Sequence, residues 1–151
     1  MNTSAFSVID VAKQEFVGAV LVDEPDRGAA GIWSIACDDK HIFITHSGTH
    51  EVSVIDHPAM LAKFESYKDK SRLDYDLNFL YGLRERVPLQ GNGPRNFIFS
   101  GDKLIIPTYF ADILNIVDIN TLEVTATDMN PGRTETPENK GEKYFNDANH
   151  C

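Results

Sequence analysis

One stretch of sequence occurs twice, and this repeat constrains the fold more than any other feature. Residues 31–56 read GIWSIACDDKHIFITHSGTHEVSVID, and residues 93–118 read GPRNFIFSGDKLIIPTYFADILNIVD. The two copies align without a gap at an offset of 62 positions, and residues 7–10 repeat the ending as SVID. Short apolar runs separated by turn residues, recurring at such a period, are typical of a repeated β unit. The sequence therefore predicts an all-β protein.

The repeat predicts three successive units of antiparallel strands. Residues 5–22 form a hairpin that is the remnant of one unit, residues 31–89 form a second unit of four strands, and residues 93–129 form a third. The apolar triplets at 42–44 and 104–106 suit strands that pack on both faces. Four-stranded units at this spacing are typical of β-propeller blades. We therefore predict a partial β-propeller of about two and a half blades.

The second unit is interrupted between its third and fourth strands. Residues 57–77 predict a short helical insertion, because Pro58 suits a first helical turn and the apolar residues that follow are spaced for one helical face. The charged residues 68–76 predict a loop. The fourth strand of the unit is then expected over residues 79–89.

The C-terminal residues differ in composition from the predicted propeller domain over residues 1–129. Residues 130–151 read NPGRTETPENKGEKYFNDANHC and are polar, with two prolines and two glycines. Such a composition predicts a linker. Within it, residues 141–148 are expected to form a short helix that frays without a domain to dock on.

The number of units bears on the extent of the protein. A propeller ring typically needs about 4–8 blades to close, and this chain supplies fewer and begins inside a unit. We therefore expect it to be a piece of a longer protein, whose first partner is the rest of its own propeller. Self-association through the open faces of the units is the alternative.

Charge and hydropathy exclude several functions. The formal net charge is −9, which argues against nucleic-acid binding and against anionic membranes. The sequence contains no apolar run of transmembrane length, and residues 1–20 lack the features of a signal peptide. Cys37 and Cys151 are too few for a disulfide framework, and Cys37 is predicted to be an inert, buried residue of a strand.

Four of the five histidines fall within 17 positions and are candidate metal ligands. His46 and His50 flank one predicted turn, so their side chains could approach each other. The spacing matches no standard metal motif, however, and polar loop positions at the rim of the units are the expected role. We predict no metal site and keep His46 and His50 as candidate binding residues. The four histidines are His41, His46, His50 and His57.

Arg95 is the first candidate for a binding residue. It follows Gly93-Pro94 in a loop that enters the third unit, where it could meet an anion or a carboxylate of a partner. Pairing with a nearby Asp or Glu of the chain is the structural alternative. Trp33 and Tyr109-Phe110 are expected to serve packing. The sequence contains no nucleophile-elbow motif, and we expect no catalytic residue.

Aspartates recur at the end of the third strand of each unit, at Asp10, Asp56 and Asp118. A ring of carboxylates is one interpretation. Recurrence at one repeat position favours another, because Asp side chains accept hydrogen bonds from backbone amides about two residues further on and so stabilise turns. We predict the turn role.

Several of these motifs resemble a known family. The run FITHSGTHEVSVID at residues 43–56 resembles the repeat of YVTN-type, surface-antigen-like β-propellers. DLNFLYG at residues 76–82, together with GNGPR at residues 91–95, resembles the subgroup in which the propeller precedes a di-haem cytochrome c peroxidase-like domain. GEKYFNDA at residues 141–148 is similar to the segment that leads to the first haem motif of that subgroup.

This resemblance implies a function for the longer protein. It implies a haem c cofactor in a missing cytochrome c-like domain downstream, electron transfer, a redox partner protein, and an extracytoplasmic (periplasmic or cell-surface) location. The chain contains no Cys-x-x-Cys-His motif, so no haem ligand is assigned within it. The chain itself is expected to be a non-catalytic scaffold of a di-haem peroxidase-like oxidoreductase. A stand-alone propeller module that binds a protein or a small ligand without haem is the alternative.

Overall fold

Ten strands in three antiparallel sheets form the framework of residues 3–150, the part of the chain that the computed structural model describes. The first sheet is the hairpin of strands one and two. The second and third sheets each have four strands in chain order. The strands are β1 (Ala5–Asp10), β2 (Glu15–Leu21), β3 (Ile32–Cys37), β4 (His41–His46), β5 (Glu51–Asp56), β6 (Arg84–Pro88), β7 (Ile98–Ser100), β8 (Lys103–Pro107), β9 (Ile113–Asp118) and β10 (Val124–Asp128).

Helices are few and lie outside the sheets. The predicted insertion contains α1 (His57–Ser66), and the Asp56 side chain caps it by accepting a hydrogen bond from the amide of Ala59 at 2.9 Å. The charged stretch predicted as a loop contains a further short helix, α2 (Lys70–Leu73). The chain ends with α3 (Pro137–Phe145) and a 3-10 turn over Ala148–His150. No helix within residues 3–150 is long and apolar enough to cross a membrane.

The second sheet is buried on both faces, as the apolar triplet in β4 predicts. Ile42 and Ile44 point to a core shared with the first sheet and α1, whereas Phe43 between them points to a core shared with the third sheet. Successive side chains of a strand alternate between faces, so a continuous apolar run is what a doubly covered strand requires. The three sheets therefore pack face to face in chain order.

The outermost sheets each leave one side open among the described residues. On the third sheet a cross-strand row runs through Ile98, Ile105 and Ile116, and Ile98 is 63% exposed. In the first sheet, β1 pairs with β2 on one edge and with no described strand on the other. An unpaired strand edge and an apolar sheet face are both surfaces that favour further pairing or packing.

Two sequence predictions about this region are wrong. Cys37 is exposed, because it ends the edge strand β3, on whose outer side no described strand packs. The fourth strand of the second sheet begins at Arg84 and not at Phe79, since Phe79 and Leu80 lie in turns and are buried in the core beneath α1. Their apolar character reflects helix packing and not strand pairing.

The recurrent aspartates act in turns, as predicted. The carboxylate of Asp10 accepts a hydrogen bond from the amide of Lys13 at 3.0 Å, and that of Asp118 accepts from Asn120 and Thr121 at 2.9 and 3.1 Å. Asp56 uses the same geometry to cap α1. All three lie at one end of the sheets, which we call the lower end.

Candidate functional site

The candidate binding residues lie at the opposite end, which we call the upper end. The strand register places the turn after β4, the end of β6 and the start of β3 side by side, because His46 pairs with both Ile32 and Glu51 while Glu51 also pairs with Pro88. The equivalent loops of the third sheet adjoin them. The upper end comprises residues 22–31, 47–50, 89–97 and 108–112, together with the C-terminal segment 130–150.

Arg95 is held by aromatic rings and not by a carboxylate. Its guanidinium carbon lies 3.7 Å from the ring centre of Trp33, 4.7 Å from that of Tyr109 and 5.6 Å from that of Phe110. Cations at such distances are attracted to the negative faces of aromatic rings, an effect worth about 0.5–2 kcal/mol. The aromatic residues serve packing, as expected, but they pack around the guanidinium of Arg95. The pairing of Arg95 with an Asp or Glu of the chain, the structural alternative, is not observed within residues 3–150.

The backbone of Arg95 is fixed from two sheets. Its amide donates to the carbonyl of Pro107 at 3.2 Å, within its own sheet. Its carbonyl accepts a hydrogen bond of 2.9 Å from the hydroxyl of Thr45, a fully buried residue of the second sheet. The side chain therefore starts from a rigid position at the junction between two sheets.

Local irregularities bring the rings to Arg95. The register of β3 shifts between Ile32 and Ser34, so Trp33 is the extra residue of a bulge, and bulges re-aim side chains. Gly93 has a φ of +70°, and a Cβ atom there would lie 2.4 Å from the ring of Phe110. Only glycine allows this loop to approach Phe110 so closely.

A cavity of about 500 Å³ opens beside Arg95. Its wall includes the rings of Tyr109 and Phe110 and polar side chains of the C-terminal segment. Arg133 lies on this wall and pairs with Asp112 at 2.9 Å. The other polar side chains of the segment are Asn139 and Glu142.

His50 has a structural role that uses both ring nitrogens. Nδ1 accepts a hydrogen bond from the amide of Gly93 at 3.1 Å. The proton of a neutral ring is therefore on Nε2, which lies 3.0 Å from the carboxylate of Asp147. Asn92 donates to the same carboxylate at 3.1 Å. The His50 ring thus joins the second sheet to the loop that carries Arg95 and to the C-terminal segment.

His46 is not a loop residue, contrary to the sequence interpretation. It is the last residue of β4 and is fully buried, with Nε2 at 2.8 Å from the hydroxyl of Ser53. Burial lowers the pKa of His46 to about 4; the Glu51 carboxylate opposes this effect, whereas Arg84 and Arg86 add to it. His46 and His50 therefore have different partners and do not form one site.

A charged cluster lies next to His46. Arg86 binds the carboxylate of Glu51 through both Nε and Nη2, and it binds Glu24 at 3.1 Å. Burial acts to raise the pKa of Glu51, but hydrogen bonds from Arg86 and Thr49 outweigh it, so the pKa is lowered. Glu51 is 1% exposed. The cluster is a buried ion network that ties β5 and β6 to the loop after β2.

The C-terminal segment forms α3 where a short helix over residues 141–148 is expected; α3 itself has no buried residue, and the residues that follow it are docked on the second sheet. Asp147 is buried against His50 and Asn92, and the amide of Ala148 donates to the carbonyl of Gly48 at 3.0 Å. Burial acts to raise the pKa of Asp147, but the amide of Asn149 and the His50 side chain outweigh it and lower the pKa. Cys151 lies outside the described residues.

The upper end carries a cationic side chain, that of Arg95, that has no carboxylate partner among residues 3–150. Within residues 3–150 no group of three or more His, Cys, Asp or Glu side chains could hold a metal ion. The side chain of Arg95 has solvent on one side and a cavity beside it, whereas His46 is enclosed and His50 is saturated by hydrogen bonds. Arg95 is therefore the member of the predicted set that a ligand can reach.

Sequence reasoning missed the partners of these residues. Trp33 and Arg95 occupy equivalent positions of the two repeat copies, so the ungapped alignment contained a signal that they could meet where adjacent units pack. Asn92 and Asp147 lie within motifs that the resemblance singled out. Their contact with His50 joins distant parts of the chain, and no local pattern indicates it.

Over residues 3–150 the chain is an all-β protein with few helices, built from one two-stranded and two four-stranded antiparallel sheets. No family model matches the chain, and no curated protein matches it. Among solved structures, the chain is similar to hydrazine synthase from Kuenenia stuttgartiensis, with a TM-score of 0.64 and 23% sequence identity. At this identity the likeness concerns the fold.

The match also concerns only a part of the other protein. It covers 84% of this chain and 35% of the hydrazine synthase chain. The chain thus spans about a third of the length of the protein that it resembles in fold.

Proposed function

We propose that the chain is part of a β-propeller that acts as a non-catalytic scaffold in a redox protein, with haem c in a domain that follows it. The observation that carries the proposal is the docked C-terminal segment. The resemblance to di-haem peroxidase-like proteins makes residues 141–148 the approach to the first haem motif. His50 and Gly48 hold the end of this segment on the second sheet. A domain attached there would have a defined position relative to the sheets.

The open surfaces support the propeller interpretation. The row of Ile98, Ile105 and Ile116 on the third sheet offers an apolar face to a further sheet, and the edge of β1 offers backbone groups to a further strand. The similarity to part of hydrazine synthase supports a role as one portion of a larger enzyme. On this proposal the partners are the rest of the propeller, a cytochrome c-like domain and a redox partner.

The proposal is tested on the full-length gene product, produced in a host that attaches haem c. We expect a Cys-x-x-Cys-His motif shortly after residue 151, a c-type haem spectrum after reduction, and recovery from the extracytoplasmic fraction. A product without the motif and without haem contradicts the scaffold role in a haem protein. Peroxidase activity of that product tests the finer proposal of a di-haem oxidoreductase.

One observation favours a second candidate, a propeller module that binds a protein or a small ligand without haem. Arg95 stands beside a cavity with its guanidinium held by rings alone. Preorganised cationic groups of this kind are typical of recognition sites. Ligand binding by a full-length product that contains no haem supports this candidate over the first.

A further inference from the structure

Two arginines, Arg72 and Arg95, have no side-chain acceptor among residues 3–150, and Arg95 is the one that is half-buried. The chain has six arginines and 23 acidic residues. The side chain of Arg95 makes no hydrogen bond or ion pair with any residue from 3 to 150, although Asp112 and Glu142 line the same cavity. The four arginines that bind a carboxylate are Arg27, Arg84, Arg86 and Arg133.

Arg95 is also preorganised. The hydrogen bond from Thr45 fixes its backbone, and contacts with Trp33 and Tyr109 restrict its side chain. Ordering a long side chain on binding carries an entropic cost, and a group that is already ordered avoids much of this cost. The in-plane N–H groups of a stacked guanidinium remain able to donate to a ligand.

The size and lining of the cavity suit a carboxylate head group. Its volume of about 500 Å³ lies within the range of small-molecule sites. The planar fork of a guanidinium matches the two oxygens of a carboxylate. Glu142 and the net charge of −9 oppose ligands of high negative charge, such as phosphate esters. The rings of Tyr109 and Phe110 can cover an organic body beside the head group.

We propose that Arg95, stacked on Trp33 and Tyr109, is a recognition residue for a carboxylate that enters this cavity. The carboxylate comes from a free small carboxylic acid or from an acidic side chain of a peptide. The proposal deepens the second candidate function, and it does not depend on whether a haem domain follows. Haem spectroscopy therefore tests one proposal, and ligand titration tests the other.

The chain supplies its own probe, because Trp33 is its single tryptophan and contacts Arg95 directly. Butyrate, and separately a short peptide with blocked termini and a single glutamate, is titrated into the 151-residue chain at constant ionic strength while Trp33 emission is followed. We expect a saturable change with at least one of the two probes. Saturation by butyrate alone identifies a free acid as the ligand class, and saturation by the peptide alone identifies a protein side chain.

Variants of Arg95 distinguish specific recognition of a carboxylate from a general effect of positive charge on the chain. Arg95→Lys keeps the charge but loses the bidentate fork, so we expect at least about tenfold weaker binding, and Arg95→Gln is expected to abolish it. Arg72→Gln is the matched control, because Arg72 is an exposed arginine beside a different cavity near α2. Circular dichroism verifies that each variant is folded.

Three results overturn the proposal. The first is the absence of saturation with both probes. The second is undiminished binding by a folded Arg95→Gln variant. The third is tighter binding of inorganic phosphate than of either probe, because the cavity would then not select a carboxylate.

Discussion

The two copies of the repeat share the backbone conformation of their turns at the upper end but differ there in chemistry. Gly31 and Gly93 have φ angles of +73° and +70°, and the equivalent turn residues His50 and Asp112 have φ angles of +56° and +51°. Even single hydrogen bonds recur: the amide of Ser47 donates to Gly31, and that of Tyr109 donates to Gly93. The repeat therefore specifies the path of the chain, including positions where the residue type has changed.

The side chains at matched positions differ in charge. The first copy buries an ionisable network next to β6, whereas the second has neutral residues, and its turn residue Asp112 pairs with Arg133. In the first copy a buried charge needs the arginines of β6 as partners, so its stability depends on them. The matched pairs are His46 with Thr108, Glu51 with Ile113, and Ser53 with Asn115.

Among substitutions that distinguish the two copies, Glu51→Gln is expected to have the largest effect on the free energy of unfolding. Glu51→Gln leaves Arg86 buried with half of its charge partners gone, and removal of one member of a buried ion pair typically costs about 3–5 kcal/mol. We expect the free energy of unfolding to fall by about 4 kcal/mol in urea denaturation. At the matched position Ile113→Val removes one methylene and should cost about 1 kcal/mol. Equal costs at both positions would show that the network adds nothing specific to the first copy.

The next largest loss of stability is expected when Gly93 is substituted. Gly93→Ala combines a left-handed backbone with a contact of 2.4 Å between the new methyl group and Phe110. We expect a loss of about 3 kcal/mol, since left-handed strain costs about 1–2 kcal/mol and overpacking adds a similar amount. Gly101 is the control, because its φ is +58° and a Cβ atom there meets nothing within 4 Å.

Thermal denaturation of both glycine variants separates strain from packing. Gly101→Ala should lose only about 1 kcal/mol. Trp33 emission should also change in Gly93→Ala, because displacement of Phe110 disturbs the rings around Arg95. A Gly93→Ala variant no less stable than Gly101→Ala contradicts the close approach of this loop to Phe110.

The buried His46 of the first copy makes the free energy of unfolding depend on pH, and the second copy has no such residue at the matched position. The pKa of His46 is lowered from 6.5 to about 4 by burial, so between these values the unfolded chain takes up a proton that the folded chain does not. Stability therefore falls as the pH decreases through this window, by about 2 kcal/mol between pH 7.5 and pH 5. His46→Thr, which installs the residue of the second copy, should flatten this slope in urea denaturation at several pH values. An unchanged slope would assign the dependence to other groups.

Local patterns in the sequence predicted the elements that depend on local interactions. Apolar triplets predicted the doubly covered strand β4, and the recurrent aspartates predicted turns, because alternation and side chain–backbone hydrogen bonds act within a few residues. Cys37 was misassigned because its burial depends on what packs outside an edge strand. A strand pattern does not contain that information.

The candidate site could be predicted only in part. Arg95 was identified from its loop, but its cation–π contacts with Trp33 depend on how two units pack and on a bulge in β3. His50 was identified as polar and near a turn, whereas its partner Asp147 lies at the other end of the sequence. Contacts between units and with the C-terminal segment set the chemistry of the upper end, and they are the part that composition and spacing do not encode.

The smallest expected effect tests how the two turn residues hold the C-terminal segment. His50 binds Asp147, whereas its counterpart Asp112 binds Arg133, so each copy contributes one anchor. His50→Asn and Asp112→Asn both keep a residue that tolerates the left-handed turn. We expect His50→Asn to lower the local opening free energy of residues 146–150 by about 1 kcal/mol, seen as roughly fivefold faster amide hydrogen exchange, because it also removes the acceptor of the Gly93 amide.

Asp112→Asn should have less effect on residues 146–150, since the Arg133 pair is partly exposed and lies further from them along the chain. The difference in exchange between the two variants shows how much the His50 contact and the Asp112 contact each hold the C-terminal segment. Faster exchange confined to His50→Asn supports a junction that fixes the direction in which the chain leaves the sheets, as a scaffold for a following domain requires. Unchanged exchange in both variants would mean that other contacts hold the segment, and the scaffold proposal would then lose the observation that carries it.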